Sequence, residues 1–406
     1  MSRIDELIEQ LCPDGVEFRT LRDVASYSRN RIDSSELTPG SYVGVNELLP
    51  NFQGRTLEVR DPSETKCIEF SRDDILLGNI RPYLKKMWLA NCSGGTNGDV
   101  LVIRIKDRTH LSPKFLWQVL ASSNFVNYNI QHSHGAKMPR GDKASILGYK
   151  IPLPPMEIQK EIVEILDSFS ELEAELEAEL EARKQQHQIC LDRLYSFNGQ
   201  IHFSNLGSLI IDLRTGLNPR NNFKLNTKGA TGYYITVREL DGRTIKITEK
   251  TNRVDNKALS LIDRRSHLRA GDLLLSATGT IGNTALVKST PTNWNIKEGV
   301  YAITPDTSRM SAEFLMYWLK TSAARNALER MAEGGTIRSV SMKKLRELQI
   351  PVPSINEQHR IVSILDKFDA LVNDLSSGIP AEIEARRKQY EYYRDKLLTF
   401  KEKPGD

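Results

Sequence analysis

Residues 151–169, IPLPPMEIQKEIVEILDSF, return at residues 350–368 as IPVPSINEQHRIVSILDKF, after an interval of 199 residues. A second matched pair, ARKQQHQICLDRLYSF at 182–197 and ARRKQYEYYRDKLLTF at 385–400, follows at an interval of 203 residues. A repeat of about half the chain length is the signature of a duplicated architecture. The sequence therefore predicts two copies of one plan, each a globular domain followed by a helical segment.

The regions that precede the matched blocks resemble each other more faintly. DILLGN at 74–79 resembles DLLLSA at 272–277, and SPKFLWQVL at 112–120 resembles SAEFLMYWL at 311–319. A chain of 406 residues with 39% hydrophobic residues is long enough for each half to bury its own core. We predict an α/β (α+β) fold with two similar globular domains, at residues 1–150 and 201–349, and helical segments at residues 151–200 and 350–406.

Each helical segment starts after a proline cluster, because prolines hold the chain extended and exclude a helix before them. Apolar residues then recur every three or four positions, which is typical of an amphipathic helix. The first stripe comprises Ile162, Leu166, Phe169, Leu172, Leu176, Leu180, Leu191 and Leu194. The second comprises Ile361, Leu365, Phe368, Leu371, Leu375, Tyr390, Tyr393 and Leu397. We interpret both stripes as coiled-coil positions that face the other helix.

The sequence leaves the direction of this helix pairing open. Connectivity favours two long antiparallel helices that separate the domains, with pseudo-twofold symmetry. Three successive ELEA units at 171–182 consist of strong helix formers and predict a stiff acidic spacer. In the second copy Gly378 and Pro380 predict a break, with a new helix that begins close to Pro380.

Charge is distributed unevenly along the chain. Residues 201–349 contain 23 Lys and Arg against 13 Asp and Glu, a net charge of +10, and residues 1–150 carry +2. Residues 151–200 carry −7 and residues 350–406 carry −1, which completes the total of +4. A polyanion should therefore meet the domains and avoid the first helix. The N-terminus is polar and no long uncharged apolar run occurs, so we expect a cytoplasmic protein with reduced cysteines.

Catalytic and cofactor motifs are absent from the sequence. It has no phosphate-binding glycine loop, no dinucleotide fingerprint, no HExxH and no GxSxG. His132 and His134 lack neighbouring ligands of a metal site. TGTIGN at 278–283 is interpreted as a tight turn after a strand. We expect no enzyme activity, metal or cofactor in this chain.

Two weakly similar domains, each followed by a proline turn and a long helix, resemble the specificity subunit of type I restriction-modification systems. The two matched blocks carry this resemblance, which covers the whole chain, and the tandem ELEA units resemble the central spacer of the IC subclass. The resemblance implies that each domain is a target recognition domain for one half of a split, asymmetric site in double-stranded DNA. It implies that the helices set the gap and dock two modification (methyltransferase) subunits, with restriction subunits completing the complex. S-adenosylmethionine and ATP would then be bound by the partner subunits.

The two copies differ where a symmetric docking surface would be expected. Asn356 and Glu357 precede Gln358 in the second copy, whereas Glu157 and Ile158 precede Gln159 in the first. This difference argues against symmetric docking of two modification subunits through these side chains. The shared glutamines are interpreted as helix caps.

DNA recognition requires Arg, Lys, Asn or Gln side chains on exposed loops. Loops with suitable residues occur at 79–86, 134–143, 214–232 and 333–344. The predicted DNA-binding residues are Asn79, Arg81, Lys85, Lys86, Lys137, Arg140, Lys143, Arg214, Arg220, Asn221, Asn222, Lys224, Lys228, Arg338, Lys343 and Lys344. There are two alternatives. One is a coiled-coil scaffold whose domains bind protein, and it is the main rival. The other, a methyltransferase that acts alone, fails because the sequence has no cofactor motif.

Overall fold

A computed structural model describes residues 3–56, 60, 62, 64–197, 201–220, 222–373 and 378–404. The chain divides into two compact units. Unit 1 comprises Met1–Glu177 and Glu382–Asp406, and unit 2 comprises Ala178–Ala381. Both units mix helices with short strands, so the predicted fold class and the two similar domains are confirmed.

The elements from residue 3 to residue 194 are, in chain order, α1 (Arg3–Leu11), β1 (Glu17–Thr20), α2 (Leu21–Val24), β2 (Ala25–Tyr27), β3 (Arg31–Asp33), β4 (Lys66–Phe70), β5 (Ile75–Gly78), β6 (Met87–Leu89), β7 (Gly94–Thr96), β8 (Val100–Ile105), α3 (Pro113–Ala121), α4 (Ser123–Gln131), β9 (Ser133–His134), β10 (Arg140–Gly141), α5 (Lys143–Gly148), β11 (Lys150–Leu153) and α6 (Met156–Leu194). The helix α6 begins in unit 1 and ends in unit 2.

The elements that follow are β12 (Phe203–Asn205), β13 (Ile210–Thr215), β14 (Gly232–Ile235), β15 (Arg253–Val254), α7 (Asn256–Ser266), β16 (Leu273–Ser276), β17 (Thr284–Leu286), β18 (Trp294–Ile296), β19 (Val300–Pro305), α8 (Ala312–Leu319), α9 (Ser322–Met331), α10 (Met342–Arg346), β20 (Gln349–Pro351), α11 (Ile355–Asn373) and α12 (Ile379–Leu397). Gly378 is not helical and α12 begins at the next residue, as predicted, with Pro380 in its first turn.

The main sheet has the same topology in both units. Its strand order is β2-β8-β5-β6 in unit 1 and β13-β19-β16-β17 in unit 2. The first strand of each domain pairs with the strand that leads into its long helix, as β1-β11 and as β12-β20. The three-stranded sheets differ, with the order β3-β4-β7 in unit 1 and β15-β14-β18 in unit 2. The smaller sheets still share one parallel pairing, at the Tyr42–Gly95 bridge in unit 1 and between β14 and β18 in unit 2, and they differ in their other strands.

The central strands β5 and β16 are buried on both faces. Ile75 and Leu77 belong to one hydrophobic cluster of unit 1 while Leu76 belongs to another. This alternation follows from the two-residue period of a strand. In unit 2 Leu273 and Leu275 are divided in the same way from Leu274. The continuous apolar runs of DILLGN and DLLLSA are thus explained by burial between two layers.

Gln159 fastens the start of α6 to the loop before α3. Its Oε1 accepts the Ser112 backbone N–H at 2.9 Å, and its Nε2 donates to the carbonyls of His110 and Pro154, both at 2.8 Å. The side chain is fully buried. The interpretation of this glutamine as a simple helix cap is therefore too narrow, because it joins two separate elements.

Gln358 makes the same three bonds in unit 2. Its Oε1 accepts the Ser311 backbone N–H at 2.8 Å, and its Nε2 donates to the carbonyls of Arg309 at 2.8 Å and Pro353 at 3.0 Å. It is also fully buried. The glutamine shared by the two sequence blocks is thus a structural clamp in both units.

The second matched block of each repeat packs on the domain of the other repeat. Asp192, close to the end of α6, accepts the Ser322 backbone N–H at the start of α9 at 2.8 Å, within unit 2. Asp395, close to the end of α12, accepts the Ser123 backbone N–H at the start of α4 at 3.1 Å, within unit 1. The same aspartate therefore performs the same docking in both repeats, on the domain from the opposite half of the sequence.

Within unit 1 the segments of α6 and α12 run antiparallel, as predicted. The rings of Phe169 and Tyr393 stack with centroids 5.4 Å apart. Farther along α6, Glu173 and Glu177 lie 2.6 and 3.4 Å from the guanidinium of Arg387, which precedes Tyr393 in α12. Glu173 is largely covered, so the acidic spacer is not solvated on all sides. Its hydrogen bond and charge raise the pKa of Arg387.

The apolar stripes are divided between the domain cores and other surroundings. Six of the predicted coiled-coil residues lie in or against a domain core. They are Ile162 and Leu166 in unit 1, and Leu191, Leu194, Ile361 and Leu365 in unit 2. Each domain leaves an apolar surface that these helix ends complete, and in unit 2 Leu191 of α6 lies in the same cluster as Ile361 and Leu365 of α11. Tyr390 and Leu397 also pack against the core of unit 1.

The other stripe residues lie nearer to solvent. Leu176, Leu180 and Phe368 are half-buried. Leu172 and Leu371 are exposed, and Leu375 lies outside the described residues. Among the helices that the structure describes, none combines the length and the apolar character needed to cross a membrane.

Candidate nucleic-acid interface

Two of the predicted DNA-binding loops of unit 1 lie side by side. Ile80 and Arg140 form an antiparallel bridge. The Arg81 backbone N–H donates to the Pro139 carbonyl at 2.7 Å, and the Gly141 backbone N–H donates to the Asn79 carbonyl at 3.1 Å. The loop after β5 therefore supports the hairpin formed by β9 and β10, which we call hairpin 1 (133–141).

Positive charge surrounds hairpin 1. Arg81, Lys137, Arg140 and Lys143 are exposed, and Lys85 is half-buried. Arg140 pairs with Asp99 at 3.0 Å, but both side chains stay partly open to solvent. An exposed ion pair of this kind is weak and can exchange for a phosphate. The paired loops therefore carry exposed positive charge that phosphate oxygens could approach.

Two predicted residues of this loop have structural roles instead. Asn79 is only 5% exposed, at the end of the buried strand β5. Lys86 donates from its Nζ to the Val45 carbonyl at 2.7 Å, and burial lowers its pKa. The structure therefore argues against both as direct DNA ligands, because neither offers an open polar group at the surface.

Unit 2 repeats this arrangement with different residues. Thr278 bridges Ser339, the Gly279 backbone N–H donates to the Arg338 carbonyl at 2.9 Å, and the Val340 N–H donates to the Ala277 carbonyl at 2.9 Å. The loop 277–283 thus supports a second hairpin, which we call hairpin 2 (333–339). The interpretation of TGTIGN at 278–283 as a tight turn is therefore incomplete. The likeness of DLLLSA to DILLGN was the sequence signal that could have identified it.

The basic residues at hairpin 2 differ in how far they are engaged. Arg338 is exposed, yet its Nη2 donates to the carbonyls of Glu329 at 2.6 Å and Ala332 at 3.2 Å, at the end of α9. Lys344 pairs with Glu333. Lys343 is exposed on the first turn of α10. Arg338 therefore holds hairpin 2 against α9 while part of its guanidinium stays accessible.

Arg214 is buried inside unit 2, which removes it from the DNA-binding candidates. It is 7% exposed and lies 2.8 Å from Asp272, which is fully buried. Its guanidinium also bonds to Thr304 and to the carbonyls of Ser266 and His267. A guanidinium with this many internal partners cannot reach a base or a phosphate.

Unit 1 contains a related ion pair with the arginine on another strand. Asp74 is fully buried and accepts from Arg104 of β8 at 2.6 Å. The strand β19 of unit 2 carries Thr304 in the corresponding place, and Arg214 comes from the adjacent strand β13. Both domains thus neutralise one buried aspartate, and the sequence could not reveal which arginine does it.

The remaining candidates lie in the irregular stretch between β13 and β14. Arg220, Asn222, Lys224 and Lys228 are exposed, and the backbone of Arg220 is in the left-handed region with φ 23°. The Asn222 side chain donates to the Asn218 carbonyl at 2.9 Å. Asn221 lies outside the described residues. This stretch stays a predicted DNA-binding segment.

Comparisons with known proteins agree with this architecture. The family model described as "Type I restriction modification DNA specificity domain" matches twice, at residues 13–182 and 206–385. A protein of Haemophilus influenzae named as a type I restriction enzyme specificity subunit is 28% identical over 408 residues, which cover 95% of this chain and 96% of that protein. The Escherichia coli type I restriction enzyme EcoR124I/EcoR124II specificity subunit is 34% identical over 62% of this chain and 63% of its own length.

One solved structure has the same fold along nearly the whole chain. It is a chain from a study of complex assembly and conformational transition of the type I R-M system, and it matches with a TM-score of 0.63. The match covers 95% of this chain and 97% of that one, at 19% sequence identity. With the family model matched in both repeats, the chain belongs to the family of type I restriction modification DNA specificity proteins.

Proposed function

We propose that this chain is the DNA-recognition subunit of a type I restriction-modification complex and acts on double-stranded DNA in the cytoplasm. One arrangement carries the proposal, because it recurs in two domains of the same topology. In each domain the loop after the central strand supports a hairpin. Each hairpin brings basic side chains to the surface. Phosphate contacts from such residues fix the position of a protein on a duplex, and neighbouring contacts to bases give specificity.

Each domain would read one half of a bipartite, asymmetric site. The difference between the two three-stranded sheets and between the residues of hairpins 1 and 2 supports two different half-site sequences. The continuous helix α6 would set the gap between the half-sites, since a helix of 39 residues has a fixed rise of about 1.5 Å per residue. The ELEA units within it support an IC-like subclass.

Catalysis would belong to partner subunits. Two modification subunits that hold S-adenosylmethionine would methylate adenine N6, and restriction subunits would hydrolyse ATP and cut DNA. The lack of catalytic and cofactor motifs in the sequence supports this division of labour. We propose that this chain itself binds no cofactor.

Docking of the modification subunits would not be symmetric at the helix starts. Ile158 is fully buried in the core of unit 1, whereas Glu357 at the corresponding position of unit 2 pairs with Arg360 at 2.7 Å near the surface. A partner could contact Glu357 but not Ile158. The acidic segment 151–200, with its net charge of −7, favours a protein partner over DNA.

DNA binding and methylation provide the test. The chain would be co-expressed with its modification subunits, the methylated adenines mapped by sequencing, and duplex binding measured against salt concentration. We expect a two-part methylated motif and a log K that falls steeply with log salt concentration, because each neutralised phosphate contributes a slope of about −0.9. No retention on heparin, no salt-sensitive duplex binding and no methylated motif would favour the scaffold alternative.

Deletion of one ELEA unit, residues 175–178, should shorten the gap between the half-sites and leave both half-site sequences unchanged. Four residues correspond to about 6 Å of helix, close to two base-pair rises of about 3.4 Å. The methylated motif should lose one or two base pairs of spacing. Sequencing of methylated genomic DNA gives the answer, and new half-site letters would contradict the spacer role of α6.

Arg338→Ala should weaken binding to the methylated motif by about 1–3 kcal/mol if its guanidinium contacts a base, and it should relax specificity in one half-site. Lys343→Ala is the comparison, since loss of a phosphate contact lowers affinity for all sequences alike and reduces the salt slope by about 1. Fluorescence anisotropy with matched and scrambled duplexes separates the two effects. Equal affinity of Arg338→Ala and wild type would leave Arg338 with its structural role on α9 alone.

A further inference from the structure

The tip of each hairpin presents a large aliphatic side chain to solvent. Met138 of hairpin 1 is 47% exposed, and Ile337 of hairpin 2 is 67% exposed. Single exposed apolar residues are common and carry little information by themselves. These two residues are 199 residues apart, the interval of the first repeat, so the same position of both domains exposes an apolar group.

The backbone around both tips is built in the same way. Gly135 and Gly334, three residues before each tip, have φ of 107° and 118° and lie against the carbonyls of Met138 and Ile337. A side chain at Gly334 would lie 2.5 Å from the Ile337 carbonyl oxygen, so the tight hairpin requires glycine there.

A cross-loop bond follows each tip directly. The carbonyl of Pro139 accepts from Arg81, and the carbonyl of Arg338 accepts from Gly279. The residue next to the tip is therefore held by the loop after the central strand in both domains. The backbone beside the tip is thus already restrained, and less backbone entropy would be lost when the tip side chain enters a partner.

We propose that Met138 and Ile337 are apolar wedges that enter a groove of the bound duplex and insert between base pairs, one in each half-site. The inference rests on the proposed function and adds a mode of contact to it. Basic residues close to each tip, Lys137 and Arg140 at Met138 and Arg338 at Ile337, favour DNA as the partner over an apolar protein surface. Met, Ile and Pro are among the side chains that proteins use to unstack base steps.

Insertion of this kind would serve the modification reaction. An adenine in a duplex must leave the stack before its N6 can be reached, and the enzyme must supply the unstacking energy. A wedge that loosens a nearby base step lowers that cost. The recognition subunit would then prepare the target base as well as select it.

The test uses the complete chain with its modification subunits and a duplex of the methylated motif that carries 2-aminopurine at successive positions of each half-site. Met138→Ala should reduce affinity on the order of tenfold, the effect of losing a buried aliphatic side chain, and should abolish the rise in 2-aminopurine fluorescence in one half-site. Ile337→Ala should do the same in the other half-site. The salt slope should stay as in wild type, because no charge is removed.

The matched control is Ile211→Ala. Ile211 is 68% exposed, close to the 67% of Ile337, but it lies on strand β13 and not at a hairpin tip. It should bind as wild type does. Wild-type affinity of both tip variants, or reduced affinity with an unchanged 2-aminopurine signal, would overturn the wedge. A wild-type complex without salt-sensitive duplex binding would instead overturn the proposed function.

Discussion

Replacement of Arg214 by methionine is expected to destabilise unit 2 by about 3–5 kcal/mol, because it leaves the fully buried carboxylate of Asp272 without its cation. Methionine fills similar space, so the loss reports the charge and its hydrogen bonds and not a cavity. Thr304 and the Arg269 backbone N–H stay as neutral partners of Asp272. They cannot offset the cost of burying a negative charge.

The measurement must resolve one unit from the other, since a chain of two units need not unfold in a single step. Hydrogen exchange followed by mass spectrometry should show faster exchange in peptides from β16 and β19 and unchanged exchange in peptides from β5 and β8. Arg104→Met in unit 1 is the matched control. Arg104 is 30% exposed, so solvent already screens that pair and a smaller loss is expected.

A second replacement distinguishes the structural role of Arg214 from the DNA-binding role that the sequence suggested. The double variant Arg214→Met with Asp272→Leu removes both charges and should recover much of the lost stability. If Arg214→Met kept wild-type exchange but lowered the salt slope of DNA binding, the buried ion pair would be the wrong explanation.

Gln358→Leu is expected to destabilise unit 2 by about 3 kcal/mol, because it leaves the Ser311 N–H and the carbonyls of Arg309 and Pro353 without their partner. Leucine has a similar volume but no polar group. The start of α11 should separate from the N-terminus of α8. Thermal unfolding and hydrogen exchange of peptides that contain Ser311 would measure the effect.

Gln159→Leu provides the comparison in unit 1. It removes the same three bonds, but Ser112 is more accessible than Ser311, so water can replace part of what is lost. We expect a smaller destabilisation, confined to unit 1. Gln185→Leu, at an exposed position of α6, should have no such effect. Equal stability of Gln358→Leu and wild type would show that the clamp does not hold the helix to the domain.

Much of the fold could be predicted because its signals are local or repeated. The prolines of both blocks mark the helix starts, Gly378 and Pro380 mark the interruption before α12, and the apolar runs of β5 and β16 mark the central strands. These signals follow from backbone geometry and from side-chain periodicity, which do not depend on distant partners. Because the sequence repeats, each local prediction for the first copy also applies to the corresponding residues of the second copy.

The candidate site could be predicted only in part. Charged loops are visible in a sequence, but burial is not, and Arg214, Asn79 and Lys86 were selected by residue type and lie inside or against the fold. The sequence predicts only a tight turn for the loop 277–283, because threonine and glycine carry no charge that would indicate a DNA-binding role. Its contribution to hairpin 2 is made by backbone bonds, which any sequence could provide.

The sequence by itself determined the duplication, the places where the long helices begin, and the chain's uneven charge, because all three are properties of neighbouring residues and of a repeat. Only the tertiary structure decided which side chains each stripe meets and which arginine neutralises Asp272. It also decided that the second block of each repeat packs on the domain of the other. These outcomes depend on contacts between residues far apart in the chain. The free energy of these contacts comes from burying apolar surface and pairing charges that the rest of the fold leaves exposed.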